Sequence, residues 1–210
     1  MDFYQVIKGR RSVRKFKPDP VPDEDIRDII YLATLAPSTT NAQMWKFLAV
    51  RSKGVQGQMA QAIKEAYLEI ASWPEANEEE RNFLEGSAEK LSRQVQGPVT
   101  FAVLLYPHQS RTEKLLLAHG LNPEEVGRLR GYSVYQSIGM ALQNLMLSAY
   151  AKGYATCPMT GPIVAAPALE KILNVEPPWR LVALVALGLP AEEPETPPRK
   201  GLDEVLTFID

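Results

Sequence analysis

The chain has 210 residues, 45% hydrophobic and 23% charged, with Lys+Arg 23 against Asp+Glu 25. That length predicts one domain at about 100–200 residues per domain, and the composition excludes disordered, collagen-like and low-complexity classes. A net charge of −2 and a pI near 5.8 argue against a dedicated nucleic-acid binder. The longest wholly apolar stretch, Leu181 to Leu189, is about half of what a bilayer-spanning helix needs. No signal peptide is visible at Met1-Asp2-Phe3-Tyr4-Gln5, and the lone Cys157 permits no internal disulfide. A cytoplasmic protein with no membrane or nucleic-acid partner is the expectation.

In chain order, Asp23 caps a predicted helix to about Ala36, with Ile26, Ile29, Ile30 and Ala33 on one face. Trp45 to Val50 reads as a strand, and Val55 to about Ala71 as a helix. Trp73 to Gln96 is charged and reads as a solvent-facing helical excursion. Val99 to Tyr106 is a short apolar run that suits a buried strand. Tyr132 to Lys152 carries a wide apolar stripe and reads as the central helix, closed by Gly153. Tyr154 to Met159 and Arg180 to Leu187 read as strands, with a helix near Ala168 to Leu173 between them. Nine of the 17 prolines lie between Pro158 and Pro198, so this end should consist mainly of extended connections. Without regular βα alternation the pattern argues an α+β fold in one domain, 1–210.

The chemistry-bearing motifs are few. There is no G-x-G-x-x-G, Walker A, G-x-S-x-G or H-E-x-x-H, no C-x-x-C, and only two histidines, His108 and His119. A zinc site would lack ligands, and no metal is expected. Residues 8–17 hold six cations and no acid. In an extended chain Arg10, Ser12 and Arg14 share a side, an arrangement that suits a phosphate monoester; the alternative is a solvated basic face. The stretch Ala36 to Trp45 is a loop rich in amides and hydroxyls, in which Ser38, Asn41 and Gln43 offer mixed donors and acceptors for a heteroaromatic edge. Its alternative is a loop that satisfies its own backbone. Gly153 to Pro162 follows a strand with small residues that permit close backbone approach. Within it, Cys157 has no neighbouring base or cation in sequence and reads as a buried thiol. Arg199-Lys200 forms a cationic pair on a proline-stiffened segment.

Together these stretches resemble the nitroreductase-like family of FMN-dependent oxidoreductases. The resemblance runs from R-R-S-x-R-x-F at Arg10 to Phe16, through P-S-x-x-N-x-Q-x-W at Pro37 to Trp45, to Tyr154–Gly161. It ends with L-G-x-P-A-E-x-P at Leu187 to Pro194 and the cation at Arg199. It implies a mainly antiparallel sheet wrapped by helices, in an intertwined homodimer that exchanges a C-terminal extension, here 188–210, and holds two FMN at its interface. By position, Arg10, Arg11, Ser12 and Arg14 resemble the phosphate and ribityl contacts, and Arg199 a second phosphate clamp. Pro37, Ser38 and Asn41 resemble the loop that the other subunit lays against the flavin. Thr160 and Gly161 match positions whose backbone N–H groups face flavin N5 and O4, so no catalytic side chain is expected. Some relatives carry a glutamate at the position of Thr160. Residues 72–131 are the variable region expected to cover the pocket.

The implied activity is ping-pong transfer of hydride from NADH or NADPH, through flavin N5, to a small electrophilic acceptor such as a nitroaromatic or quinone. The alternatives are another flavin task on the same fold, either reductive dehalogenation or flavin fragmentation, and a non-catalytic anion-binding module.

Overall fold

The computed structural model describes residues 2–209, so Met1 and Asp210 lie outside the described residues. Four strands form one antiparallel sheet in the order β1-β2-β4-β3: β1 (Trp45–Val50), β2 (Val99–Leu105), β3 (Ala155–Met159) and β4 (Arg180–Gly188). The expected α+β class with an antiparallel sheet is what the chain adopts.

The apolar run of β2 is buried along its whole length because both faces of the sheet are covered. Val99, Phe101, Val103 and Leu105 face one layer, and Ala102 and Leu104 the other. The first layer is α2 (Asp23–Thr34) and α7 (Ser133–Ala151). Ile138, Ala141, Leu145 and Ala149 recur at helical spacing on α7 and meet Ile26, Ile29 and Ala33 of α2. The second layer is α3 (Lys53–Ala71), α4 (Glu78–Gln94) and α8 (Ala166–Ile172), joined through Met59, Ile63, Ala88 and Leu169. A register shift between Val103 and Leu104 of β2, opposite Ala183 and Leu181, turns Val182 and Ala183 to the same layer.

Buried Gln56 ties the second layer to the sheet. Its Nε2 donates to Val50 O at 3.0 Å and Gly97 O at 2.9 Å, and its Oε1 accepts from Lys53 Nζ at 3.1 Å. On the other side, Asp25 of α2 accepts from Tyr154 Oη at 2.6 Å and pairs with Lys152 at 3.0 Å, and Asp28 takes the same ammonium at 2.8 Å. These bonds hold α2 to the junction of α7 and β3.

Three short helices go beyond the expected elements. α1 (Phe3–Gly9) precedes the basic run, and α5 (Arg111–Ala118) and α6 (Pro123–Arg130) form a hairpin within the expected cover region. Ser110 with Glu113 and Asn122 with Glu125 close a capping box on each arm of the hairpin. A last turn, α9 (Leu202–Val205), lies in the exposed C-terminal tail.

Candidate functional site

The basic run becomes extended at Arg10 because α1 stops there. Gly9 packs directly under the Tyr150 hydroxyl of α7, where no side chain has room. The chain then runs along the outer edge of β3. Ser12 bridges Thr156, and the Val13 N–H donates to Thr156 O at 3.0 Å. It next pairs with the segment after β4, Lys17 N–H to Leu189 O at 2.9 Å and Ala191 N–H to Lys15 O at 3.0 Å. Val13 is buried, so Ser12 and Arg14 lie on the opposite side of this edge segment, as the extended pattern predicts.

The cations near the start meet the one near the end. The Arg10 guanidinium pKa is lowered, first by burial and then by repulsion from Arg11 and Arg199. Among the described residues none of Arg10, Arg11, Arg14 and Arg199 has an ion-pair partner. A like-charged, partly desolvated cluster of this kind lacks a counter-charge, which an anion such as a phosphate could supply. Within the cluster Arg11 is distinct. Its Nη1 donates to Lys8 O at 2.7 Å and Arg10 O at 2.8 Å, closing the end of α1, and its buried Nε has no partner.

The loop before β1 is held in a strained shape. Thr40, Asn41 and Gln43 all have positive φ, 52°, 53° and 46°. Each non-glycine residue in this region costs about 1 kcal/mol or more. Hydrogen bonds from within the loop and from its neighbours hold it. Ser38 Oγ accepts from Gln43 N–H at 3.0 Å, and Ser137 Oγ of α7 accepts from Thr39 N–H at 3.1 Å. Thr40 Oγ1 meets His108 Nε2 at 2.9 Å, and Asn41 N–H donates to Ser38 O at 2.9 Å. Ser38 is therefore spent on the loop itself, while Asn41 projects an exposed amide and Pro37 is exposed beside it.

The third element follows β3. The N–H groups of Thr160 and Gly161 donate to no group among the described residues. Tyr67 of α3 donates to Gly161 O at 3.2 Å, and a Cβ at Gly161 would fall 2.9 Å from both Tyr67 Oη and Leu91 Cδ1. The turn thus offers open backbone donors from a seat where any side chain would have to displace Tyr67 and Leu91. Beside it, Cys157 is buried, and burial pushes its thiol up while Arg14 and Lys90 pull it partly back. That suits an inert thiol rather than a nucleophile.

The structure brings Arg10, Arg11 and Arg199 together, and sets Ser12 and Arg14 along the β3 edge with Thr160 and Gly161 just after that strand. It does not bring Pro37, Ser38 and Asn41 to them. Within one chain the loop is anchored at Ser137 and the basic segment at Tyr150, about 20 Å apart along α7. Lys90, close enough to act on Cys157, is not marked by any motif; its one signal is a Lys90/Arg93 pair at i, i+3 near the end of a helix that begins with Glu78, Glu79 and Glu80.

The profile of the nitroreductase family matches residues 7–189. The chain belongs to the nitroreductase family. Within that family it is similar in structure to a BluB-like flavoprotein from Clostridium difficile 630, with a TM-score of 0.91, 29% identity and 100% of both chains covered. In sequence it is 26% identical to an iodotyrosine deiodinase of Nematostella vectensis, over 99% of this chain and 75% of that protein. It is 27% identical to a 5,6-dimethylbenzimidazole synthase of Rhodobacter capsulatus, over 92% of this chain and 86% of that protein. No helix among the described residues is long and apolar enough to cross a membrane.

Proposed function

We infer that this protein is a homodimeric FMN oxidoreductase that passes hydride from a nicotinamide donor to a small electrophilic acceptor, a nitroaromatic or a quinone, by a ping-pong mechanism. The observation that carries this reading is the unpaired cluster of Arg10, Arg11 and Arg199 at the start of the β3 edge with the open N–H groups of Thr160 and Gly161 past its far end. The residues present fit a flavin mononucleotide: cations for its phosphate, an extended edge for its ribityl chain and backbone donors for its ring edge. The similarity to a flavoprotein at 29% identity supports a flavin cofactor.

When bound, FMN supplies the two-electron redox chemistry. The chain's own part is to hold and to orient. Arg10 and Arg199 would neutralise the phosphate dianion, with Ser12 adding a hydroxyl donor and Arg11 its positive charge. Arg14 and Lys90 place positive charge near Cys157, where it would favour a cofactor that gains negative charge on reduction. Thr160 and Gly161 would supply backbone donors to the ring, and Tyr67 holds their turn through Gly161 O. Because these groups are in place before reaction, little reorganisation is needed.

Pro37, Ser38 and Asn41 lie about 20 Å from the basic segment of their own chain and reach the cofactor from a second copy. The tail supports the same assembly. Leu202, Val205, Phe208 and Ile209 are 75%, 64%, 81% and 95% exposed, an apolar row suited to embracing another subunit. The α5–α6 hairpin, with exposed Leu115 and Leu129, then covers the acceptor site. With no dinucleotide fingerprint in the chain, donor and acceptor use one cofactor face in turn.

A second reading, with a halogenated aromatic acceptor, rests on the 26% identity to the iodotyrosine deiodinase. Steady-state turnover decides between them. Parallel double-reciprocal lines with nitrofurazone or menadione support the first reading. Intersecting lines refute a shared face, and turnover confined to iodinated phenols favours the second.

A further inference from the structure

The cationic run continues past the residues used above. Lys15 and Lys17 open onto a groove of about 380 Å³, bordered also by Arg14, Phe16, Lys53 and Arg93. Every charged side chain lining it is a cation, contributed by three separated stretches of a protein whose net charge is −2. Two of these cations have a carboxylate at hand, Glu192 beside Lys15 and Glu89 acting on Arg93, and among the described residues Lys17 and Lys53 have none. Glu192 accepts from the Arg14 N–H and lies 3.5 Å from Lys15, and Glu89 pairs with Lys64. Lys53 is held only by neutral acceptors, Gln56 Oε1 and the carbonyls of Gln96 and Gly97, so its charge stays uncompensated. Arg93 spends its Nε on Glu89 O, and its terminal nitrogens make no bond among the described residues. Such a groove focuses a positive potential and selects for multiply charged anions.

Its position narrows the ligand. α4 touches Gly161 through Leu91 and supplies Arg93 to the groove two residues later. Arg14 borders the groove and also lies close enough to act on Cys157, four residues before Gly161. A ligand with a flat redox ring at one end and a phosphate at the other can therefore reach both. The FMN phosphate already has its own cluster at Arg10 and Arg199, so the groove serves a different phosphate. Resting on the functional reading above, we propose that this groove binds the 2′-phosphate end of NADPH, making NADPH rather than NADH the electron donor. Lys17 and Arg93 grip the phosphate, Lys53 adds fixed charge, and Phe16 supplies an apolar wall for the adenosine.

The test uses the FMN-loaded protein, its Lys17→Ala/Arg93→Ala double variant, and two readouts. Anaerobic reduction should show kcat/KM for NADPH exceeding that for NADH by about tenfold or more, with the double variant erasing the difference through KM. Calorimetry should show adenosine 2′,5′-bisphosphate binding about tenfold or more tighter than 5′-AMP, and losing that advantage in the variant. Equal kcat/KM for the two donors in the wild type overturns the proposal, as does a variant that raises both KM values alike. Inorganic phosphate competing as well as the bisphosphate also overturns it, by showing a general anion sink. Failure to hold FMN, or FMN that neither donor reduces, refutes the functional reading instead. In that case the calorimetric comparison alone decides the groove, and equal affinities sink it.

Discussion

Replacing Arg10 by Gln should have opposite effects with and without FMN. In the flavin-free protein Arg10 is partly buried and faces Arg11 and Arg199, and all three effects disfavour its charge. Glutamine keeps much of the stem packing and removes the repulsion, so the melting temperature of the flavin-free variant should equal or exceed that of the wild type. With FMN bound, the same substitution deletes a charge-assisted hydrogen bond to the phosphate. Such a bond contributes about 1.5–3 kcal/mol, which corresponds to a rise of about 10- to 150-fold in the Kd for FMN. The assay is a fluorescence-quenching titration of stripped protein with FMN, paired with thermal melts of stripped and loaded samples. An unchanged Kd would refute the assignment of the phosphate to this cluster. A stripped variant destabilised as much as the loaded one would show that Arg10 serves the fold instead.

Gly161→Val should crowd Tyr67 and Leu91 and displace the donor turn, lowering kcat with a smaller change in melting temperature, as seen by turnover beside a thermal melt. Gln56→Leu orphans the Val50 carbonyl at a cost of about 1–3 kcal/mol, which for a chain of this size lowers the melting temperature by about 2–10 °C in calorimetry. Ser137→Ala releases Thr39 and relaxes the strained loop, so flavin affinity should weaken by about tenfold or less while the melting temperature of the stripped protein barely moves. The carboxyl of Asp25 is held below its ordinary pKa by the Tyr154 and Lys152 hydrogen bonds, so it stabilises the fold above about pH 4 and ceases to as pH falls through its folded pKa. Tyr154, pushed up to about 12 chiefly by burial, stabilises below pH 10 and loses its contribution between about 10 and 12. Melting temperature against pH should therefore fall at both ends, and Asp25→Asn should flatten the acid limb.

The strands and large helices were legible because burial on both faces, or along one stripe, writes itself into the apolar pattern. β2 and β4 read as continuous runs, and α7 as a stripe. α1 escaped because it has seven residues with Val6 as its one buried side chain, too few for a periodicity. α5 bears no buried side chain and α6 buries Val126 alone, and only their capping boxes marked them. The same omission affected the site. Spacing placed Arg10, Ser12 and Arg14 on one side, but only the end of α1 explains why Arg11 turns back to the carbonyls of Lys8 and Arg10. The meeting of Arg10 with Arg199 across the whole chain depends on tertiary structure that no local pattern encodes.

In the proposed assembly, the separation of about 20 Å along α7 between Ser137 and Tyr150 has a thermodynamic consequence. A cofactor that needs the loop of one copy and the cations of the other binds the dimer and not the isolated chain, so cofactor affinity and subunit affinity must rise or fall together. The strain at Thr40, Asn41 and Gln43 fits this linkage. Ser137 and His108 hold the loop in shape before the second copy arrives, so its ordering cost is met during folding rather than on association. Repulsion among Arg10, Arg11 and Arg199 acts in the same direction by penalising the empty site. In that proposed assembly, strain and repulsion would both favour the state in which two chains and a phosphate-bearing cofactor are all present.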